Sequence, residues 1–272
     1  MAIPRRRRRK LNIPLIKAFV MFVTGSIIAL GTGLTGIAGQ IAATPTIEFL
    51  LGLSPAKSAA TALAFALCAG CGAVLGASLA HVPIDLGSAV VLTIATALGV
   101  ALASGAARSP RVLKARRLSQ SVVMLLMVIV IREAMSQPIG GHSGLALNAV
   151  HTGWGLAALG VGCGAVATLL HISSGVLLIP VLVFGVGRRM EEAATIALMV
   201  GVLASVLPIS SYATQGLVDR GSSVWMMFGG IIGGLLGGYL LGAMGLAGSP
   251  VPLVLFALVA MFFSAWLVWK ML

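Results

Sequence analysis

Residues 31–45 read GTGLTGIAGQIAATP, and residues 167–180 read ATLLHISSGVLLIP. Each interrupts a long apolar stretch with glycines or hydroxyl residues and then returns to apolar residues up to a proline. In hydrocarbon, a backbone that leaves the helix exposes N–H and C=O groups that lipid cannot satisfy. Such interruptions survive only where protein or a water-filled cavity surrounds them. Two of them in one chain predict two broken membrane helices. Sliding the sequence by the interval from Pro45 to Pro180 superimposes them. Gly25 then meets Gly160, Leu34 meets Leu169, Ala59 meets Ala194, Ser88 meets Ser223 and Gly99 meets Gly234, without a gap. That is a two-repeat transporter pattern.

Composition fixes the class around these breaks. The chain has 272 residues, 59% hydrophobic and 9% charged, with 35 glycines and a mean hydropathy of +1.09. Soluble domains carry roughly 25% charged residues, and a soluble body of this composition would expose large apolar patches. The nearly uncharged stretches are 18–47, 58–84, 86–107, 118–137, 145–187, 193–218 and 221–268, the last divided by GSPVP at 248–252. Most reach the roughly 20 residues needed to cross a bilayer. The expected fold is an all-α polytopic membrane protein, with membrane lipids as partners and almost nothing left for a soluble domain.

Charge sets the expected path. The formal net charge of +12 comes from 18 Lys and Arg against 6 Asp and Glu. Arg5 to Arg9, Lys10 and Lys17 precede the first long apolar run, and Arg108, Arg111, Lys114, Arg116 and Arg117 fill one linker. Short basic flanks between apolar spans mark the cytoplasmic side. The excess is therefore read as topological, with no nucleic-acid partner, ahead of lipid or nucleic-acid recognition by the tail. The apolar stretch behind the tail is long and lacks a clean processing site, so it does not read as a cleaved signal.

With both clusters cytoplasmic, an even number of crossings lies between them. Residues 58–84 and 86–107 supply two, so 18–47 must return to its starting side. Two short helices meeting at the glycines would do this, as a tight pair of crossings or as a re-entrant hairpin. Residues 118–137 then start the second half on the opposite side. The halves become two inverted-topology repeats, each with a broken or re-entrant first helix pair and three further helices. This path places 15 of the 18 basic residues in the cytoplasm. The expected organisation is a basic cytoplasmic N-terminus over 1–17, a first repeat over 18–137, a connecting loop over 138–152 and a second repeat over 153–269.

The breaks are also where chemistry is expected. A short helix beginning near Gly39 or Gly175 would offer N–H groups and its dipole to an anion. Thr35, Gln40, Thr44, Ser173 and Ser174 add neutral hydrogen-bonding groups. Gly33, Gly36, Gly39 and Gly175 let the backbone approach, and Pro45 and Pro180 set local shape. A second reading has the glycines serving close helix packing and the hydroxyls bonding their own backbone. His171 either titrates and couples a proton to transport or stays neutral in a pore. Arg132, inside an apolar stretch, either attracts an anion or snorkels to the nearby helix end. Thr61, Ser205, Ser210, Ser211 and Tyr212 are further polar candidates facing a cavity, and Asp85 and Asp219 read as membrane boundaries. GGIIGGLLGG at 229–238 reads as close helix packing, because no Lys-Ser or Lys-Thr follows to make a phosphate loop. Cys68, Cys71 and Cys163 have no His/Cys cluster to complete a metal site and read as packing residues, so no metal and no cofactor is expected.

The paired motifs GTGLTGIAGQIAATP with GLSPAKSAATALAF, and ATLLHISSGVLLIP with GRRMEEAATIALMV and ATQGLVDR, carry a resemblance. Over about residues 20–268 the chain resembles the sulfite exporter TauE/SafE (TSUP) family of membrane permeases. The family's recurrent element is nearer Gly-x-Gly-Gly-Gly, where this chain has GIAGQ and HISSG. The resemblance implies a multi-pass protein of the bacterial inner membrane that carries sulfite, an organosulfonate or a related organic acid. The function expected is secondary transport of a small anion, with a proton as the coupled ion and a homodimer left open. No H-E-x-x-H or G-x-S-x-G points to an enzyme. The alternative is a non-transporting membrane scaffold or assembly protein, which would have a dry interface at the two breaks.

Overall fold

Apolar stretches in lipid must satisfy every backbone group within themselves, and helices do so. A computed structural model describes residues 15–37, 39–104, 153–170, 174–219, 221 and 223–246. The helices are α1 (Leu15–Thr35), α2 (Gln40–Leu51), α3 (Pro55–Leu79), α4 (Leu86–Ser104), α5 (Gly153–Leu170), α6 (Ser174–Pro180), α7 (Met190–Thr214) and α8 (Ser223–Leu246), with a π-helical turn at Val181–Gly185. No strand occurs among the described residues. Four helical segments, Leu15–Thr35, Ala56–Leu79, Leu86–Ala103 and Ser223–Met244, are long and apolar enough to cross a membrane. The protein is a helical, membrane-embedded chain.

Several sequence expectations need correction. The first helix is not short: α1 runs 21 residues and starts at Leu15, inside the stretch read as a cytoplasmic tail, with Lys17 in its first turn. Only its partner α2, at 12 residues, is short. Gly33 is not a break. It lies within α1, and a Cβ there would come within 2.6 Å of the Gly238 nitrogen in α8. Its missing side chain serves helix contact rather than a bend. Pro45 sits inside α2, and Pro180 is the last residue of α6 just before the π-helical turn. The third further helix expected in each half, 118–137 and the last apolar stretch, lies outside the described residues, as does the loop 138–152.

The described helices pack as two bundles. One joins α1, α2, α3 and α8 around Met21, Ala29, Ala43, Ile47, Phe65 and Met226. The other joins α4, α5, α6 and α7 around Leu92, Cys163, Leu178, Ile196 and Val200. Lipid gives no hydrophobic drive for helices to associate, so close packing through small residues does much of the work. The 229–238 run shows how. Cβ atoms on Gly229, Gly233 and Gly237 would lie 2.1, 2.0 and 2.4 Å from the carbonyl oxygens of Phe22, Ser26 and Leu30 in α1. Those on Gly234 and Gly238 would lie 2.2 and 2.0 Å from Ala69 O and Ala73 O in α3. The glycines therefore form two adjacent faces, and α8 wedges between α1 and α3. The rising register on every side makes α1, α3 and α8 parallel. In the second bundle, Gly160 lies against Leu92 and Ala95 while Gly164 lies against Thr96 O. There α4 and α5 run in the same direction.

The bounds of α3 moved by the Pro45–Pro180 interval become the bounds of α7, and the two helices end alike. His81 N–H donates to Ser78 O at 3.0 Å and Val82 N–H to Ala77 O at 3.1 Å. Gly216 N–H donates to Ala213 O at 3.2 Å and Leu217 N–H to Tyr212 O at 3.0 Å. Each is a Schellman turn, whose pivot residue must be left-handed. His81 has φ 57° and Gly216 φ 68°. After each turn an aspartate caps the next helix: Ser88 N–H donates to Asp85 Oδ1 at 3.0 Å, and Ser223 N–H to Asp219 Oδ2 at 3.4 Å.

Two ties set the relative direction of α3 and α7. Arg188 Nη2 meets Asp85 Oδ2 at 2.7 Å, which joins the end of the α3–α4 connection to the start of α7. Asp219 N–H donates to Thr61 Oγ1 at 3.0 Å, which joins the α7–α8 connection to the early turns of α3. The start of α7 thus lies beyond the end of α3, and the end of α7 beside its start. The two helices are antiparallel.

Candidate functional site

The first break is built from Gly36, Ile37 and Gly39. Gly36 N–H still donates to Thr32 O at 2.9 Å, closing α1, while its φ of 72° turns the chain away. A side chain fits poorly in that conformation, and a Cβ would stand 2.8 Å from both Ala194 Cα and Ile179 Cδ1. The break of the first half therefore presses on α6 and α7 of the second. Ile37 carries this further: it is buried in the apolar cluster of the second bundle. Gly39 caps α2 and lies against Thr32 and the Phe65 ring.

The hydroxyls expected to meet an anion are engaged locally. Thr35 Oγ1 donates to Gly31 O at 2.7 Å and accepts from Ile37 N–H at 3.3 Å, and its residue is buried. Thr44 Oγ1 donates to Gln40 O at 2.8 Å. In this conformation both hydroxyl hydrogens serve the helix backbone. Gln40 stands half-buried at the start of α2. Around the second break, Ser174 opens α6 half-buried and Gly175 is buried behind it. His171 and Ser173 lie outside the described residues, and so does Arg132.

The other polar candidates have structural partners. Thr61 is fully buried and accepts the Asp219 N–H, and Ser205 Oγ donates to Gly201 O at 2.6 Å. Tyr212 is exposed. Ser210 and Ser211 have no described side chains. Asp85 and Asp219 do more than mark boundaries, since each caps a helix and ties it to another. The thiols of Cys68, Cys71 and Cys163 are free.

Sequence reasoning passed over the charged group at the start of α7. Arg188 bridges Asp85 and Glu192, the latter at 3.5 Å, and Arg189 pairs with Glu191. Glu191 is only 4% exposed, unusual for a carboxylate. It stands in the first turn of α7, where the helix dipole favours negative charge. The Asp85 carboxyl is held below the usual carboxylate range, first by the hydrogen bonds from Ser88 Oγ and N–H and also by the Arg188 guanidinium, against an opposing cost of burial. The signal available was RRMEE itself, four charges together in a chain with six acids.

Compared with known protein families, curated proteins and solved structures, the chain has no match. Its functional reading rests on its own motifs and geometry.

Proposed function

We propose that this protein is a secondary transporter, built from two inverted repeats, that moves a small anion across the bacterial inner membrane by alternating access. The observation that carries the reading is reciprocal packing. The helix before each break, α1 or α5, packs along the last described helix of the other half of the sequence, α8 or α4, while α3 and α7 cross antiparallel. Broken helices at the interface of such repeats are where transporters hold substrates, with helix N-termini turned to anionic groups. The TauE/SafE resemblance supplies the substrate class: an organosulfonate, sulfite or a related organic acid. In this reading Gly39, Gln40, Ser174 and Gly175 contribute from the described breaks, His171 and Ser173 complete the second, Arg132 attracts the anion, and His171 couples a proton.

The test is flux into liposomes carrying the purified protein, with an alkyl sulfonate, sulfite and a small carboxylate as probes, with and without a pH gradient. Saturable uptake of one of them is expected, with His171→Ala removing the pH-gradient response and Arg132→Ala raising KM. No saturable uptake of any probe would overturn the reading. It would favour a non-transporting scaffold, which the apolar burial of Ile37 and the committed hydroxyls of Thr35 and Thr44 also fit.

A further inference from the structure

The described chain leaves one bundle for the other at two places, residues 80–85 and 215–219, and each contains the left-handed pivot of a Schellman turn, His81 or Gly216. A non-glycine residue at φ 57° is uncommon, and histidine is among the few that tolerate it. Strained backbone of this kind persists where the surrounding structure imposes it, often at switch regions. Just beyond each pivot the chain is anchored again. Asp85 caps α4 and holds Arg188 before α7, while Asp219 caps α8 and donates its N–H to Thr61 in α3. Each connection is thus a left-handed pivot between a helix end in one bundle and a clamp in the other. Between the bundles, packing is led by the α3–α7 crossing, where Gly70 faces Val202 and Leu198, and by Gly36 and Ile37 against α6 and α7.

We propose that the two bundles are the bodies that move, hinged at His81 and Gly216 and parting along the α3–α7 crossing. This goes beyond the transport reading by assigning the moving parts. They are not the two sequence repeats but two assemblies that each include the other repeat's last described helix. Interfaces within a bundle, α1–α8, α3–α8 and α4–α5, are backbone-to-backbone through glycine and stay closed. Hinge motions absorb their change in a few residues at element ends.

The test uses the full chain with Cys68, Cys71 and Cys163 replaced by Ala. Spin labels at Ile27 and Leu98, both exposed, read the distance between bundles, and labels at Leu98 and Val166 read it within one. Two distances are expected between bundles and one within. A Cβ on Gly70 would stand 4.0 Å from Val202 Cβ, inside the disulfide range of about 3.5–4.5 Å. The oxidised G70C/V202C pair should therefore collapse the two distances to one, and reduction should restore both. Gly216→Val penalises the left-handed pivot and should depopulate the distance of the present structure roughly 5- to 30-fold. His81→Gly should enrich it, and Gly52→Val, at a left-handed turn inside one bundle, should leave the ratio unchanged. A single distance between bundles in the reduced protein, or no change in ratio for both pivot variants, would overturn the hinge. Two distances without flux of any anion would support the hinge and remove the transport reading.

Discussion

His81 and Gly216 occupy the same left-handed pivot at the ends of α3 and α7, with φ of 57° and 68° and matching hydrogen bonds on either side. One is a glycine and the other is not. The position is therefore strained in the first half only, and the two turns respond differently to substitution.

Gly216→Ala introduces a Cβ into a left-handed turn that is otherwise open, with nothing within 4 Å. The expected loss is about 1–2 kcal/mol of stability. His81→Gly relieves that strain but gives back about 0.5–1 kcal/mol in chain entropy, so it should be nearly neutral. Denaturant unfolding in detergent checks both. A larger loss at His81 than at Gly216 would show that the imidazole makes a contact that holds the turn.

Gly233→Ala would set a methyl 2.0 Å from Ser26 O, against backbone that cannot rotate away. Prying α8 from α1 should cost about 1–3 kcal/mol, as overpacking does. Gly201→Ala in α7 meets nothing within 4 Å and should instead gain roughly 0.4–1 kcal/mol. Paired thermal melts in the same detergent separate the two.

Gly36 and Gly52 share a left-handed backbone but not a neighbourhood. Gly52→Ala adds strain alone, about 1–2 kcal/mol, because its surroundings are open. Gly36→Ala adds the same strain and a clash with Ala194 and Ile179. The second variant should be the more destabilised, and it should perturb α6 and α7 as seen by hydrogen exchange. Equal losses would mean that the break is not pressed against the second half.

Asp85 gives an acid-side dependence with a defined sign. Its folded-state pKa lies below the unfolded value of about 3.9. The stabilisation is therefore fully present above that value and is lost as pH falls through the lowered folded-state pKa. Asp85→Asn should flatten this part of a stability-against-pH curve between about pH 2 and pH 5, leaving neutral-pH behaviour changed mainly by the lost Arg188 pair. An unaltered acid limb would assign it to another carboxylate.

Much of the helical plan was legible in the sequence. Uncharged stretches of membrane length can satisfy their backbone in lipid only as helices. The break at Gly36 and Gly39 was visible because glycines interrupt an otherwise continuous apolar run, and the Pro45–Pro180 interval relates α3 to α7. The purpose of individual glycines and hydroxyls was not legible. Gly33 looks the same in sequence whether it bends a helix or admits Gly237 and Gly238. Thr35 and Thr44 look like ligands until their hydrogens are found on Gly31 and Gln40 carbonyls. Long-range partners such as Asp85 with Arg188, or Thr61 with Asp219, leave no local pattern at all.

By itself, then, the sequence determined a helical membrane chain with a break after α1, because composition and local backbone satisfaction act within a few residues. Only the tertiary structure decided which helices sit together. It placed α8 with α1 and α3, and α4 with α5 and α7. That choice depends on which glycine faces let two backbones meet, and steric fit between distant segments exists only once they have been brought together.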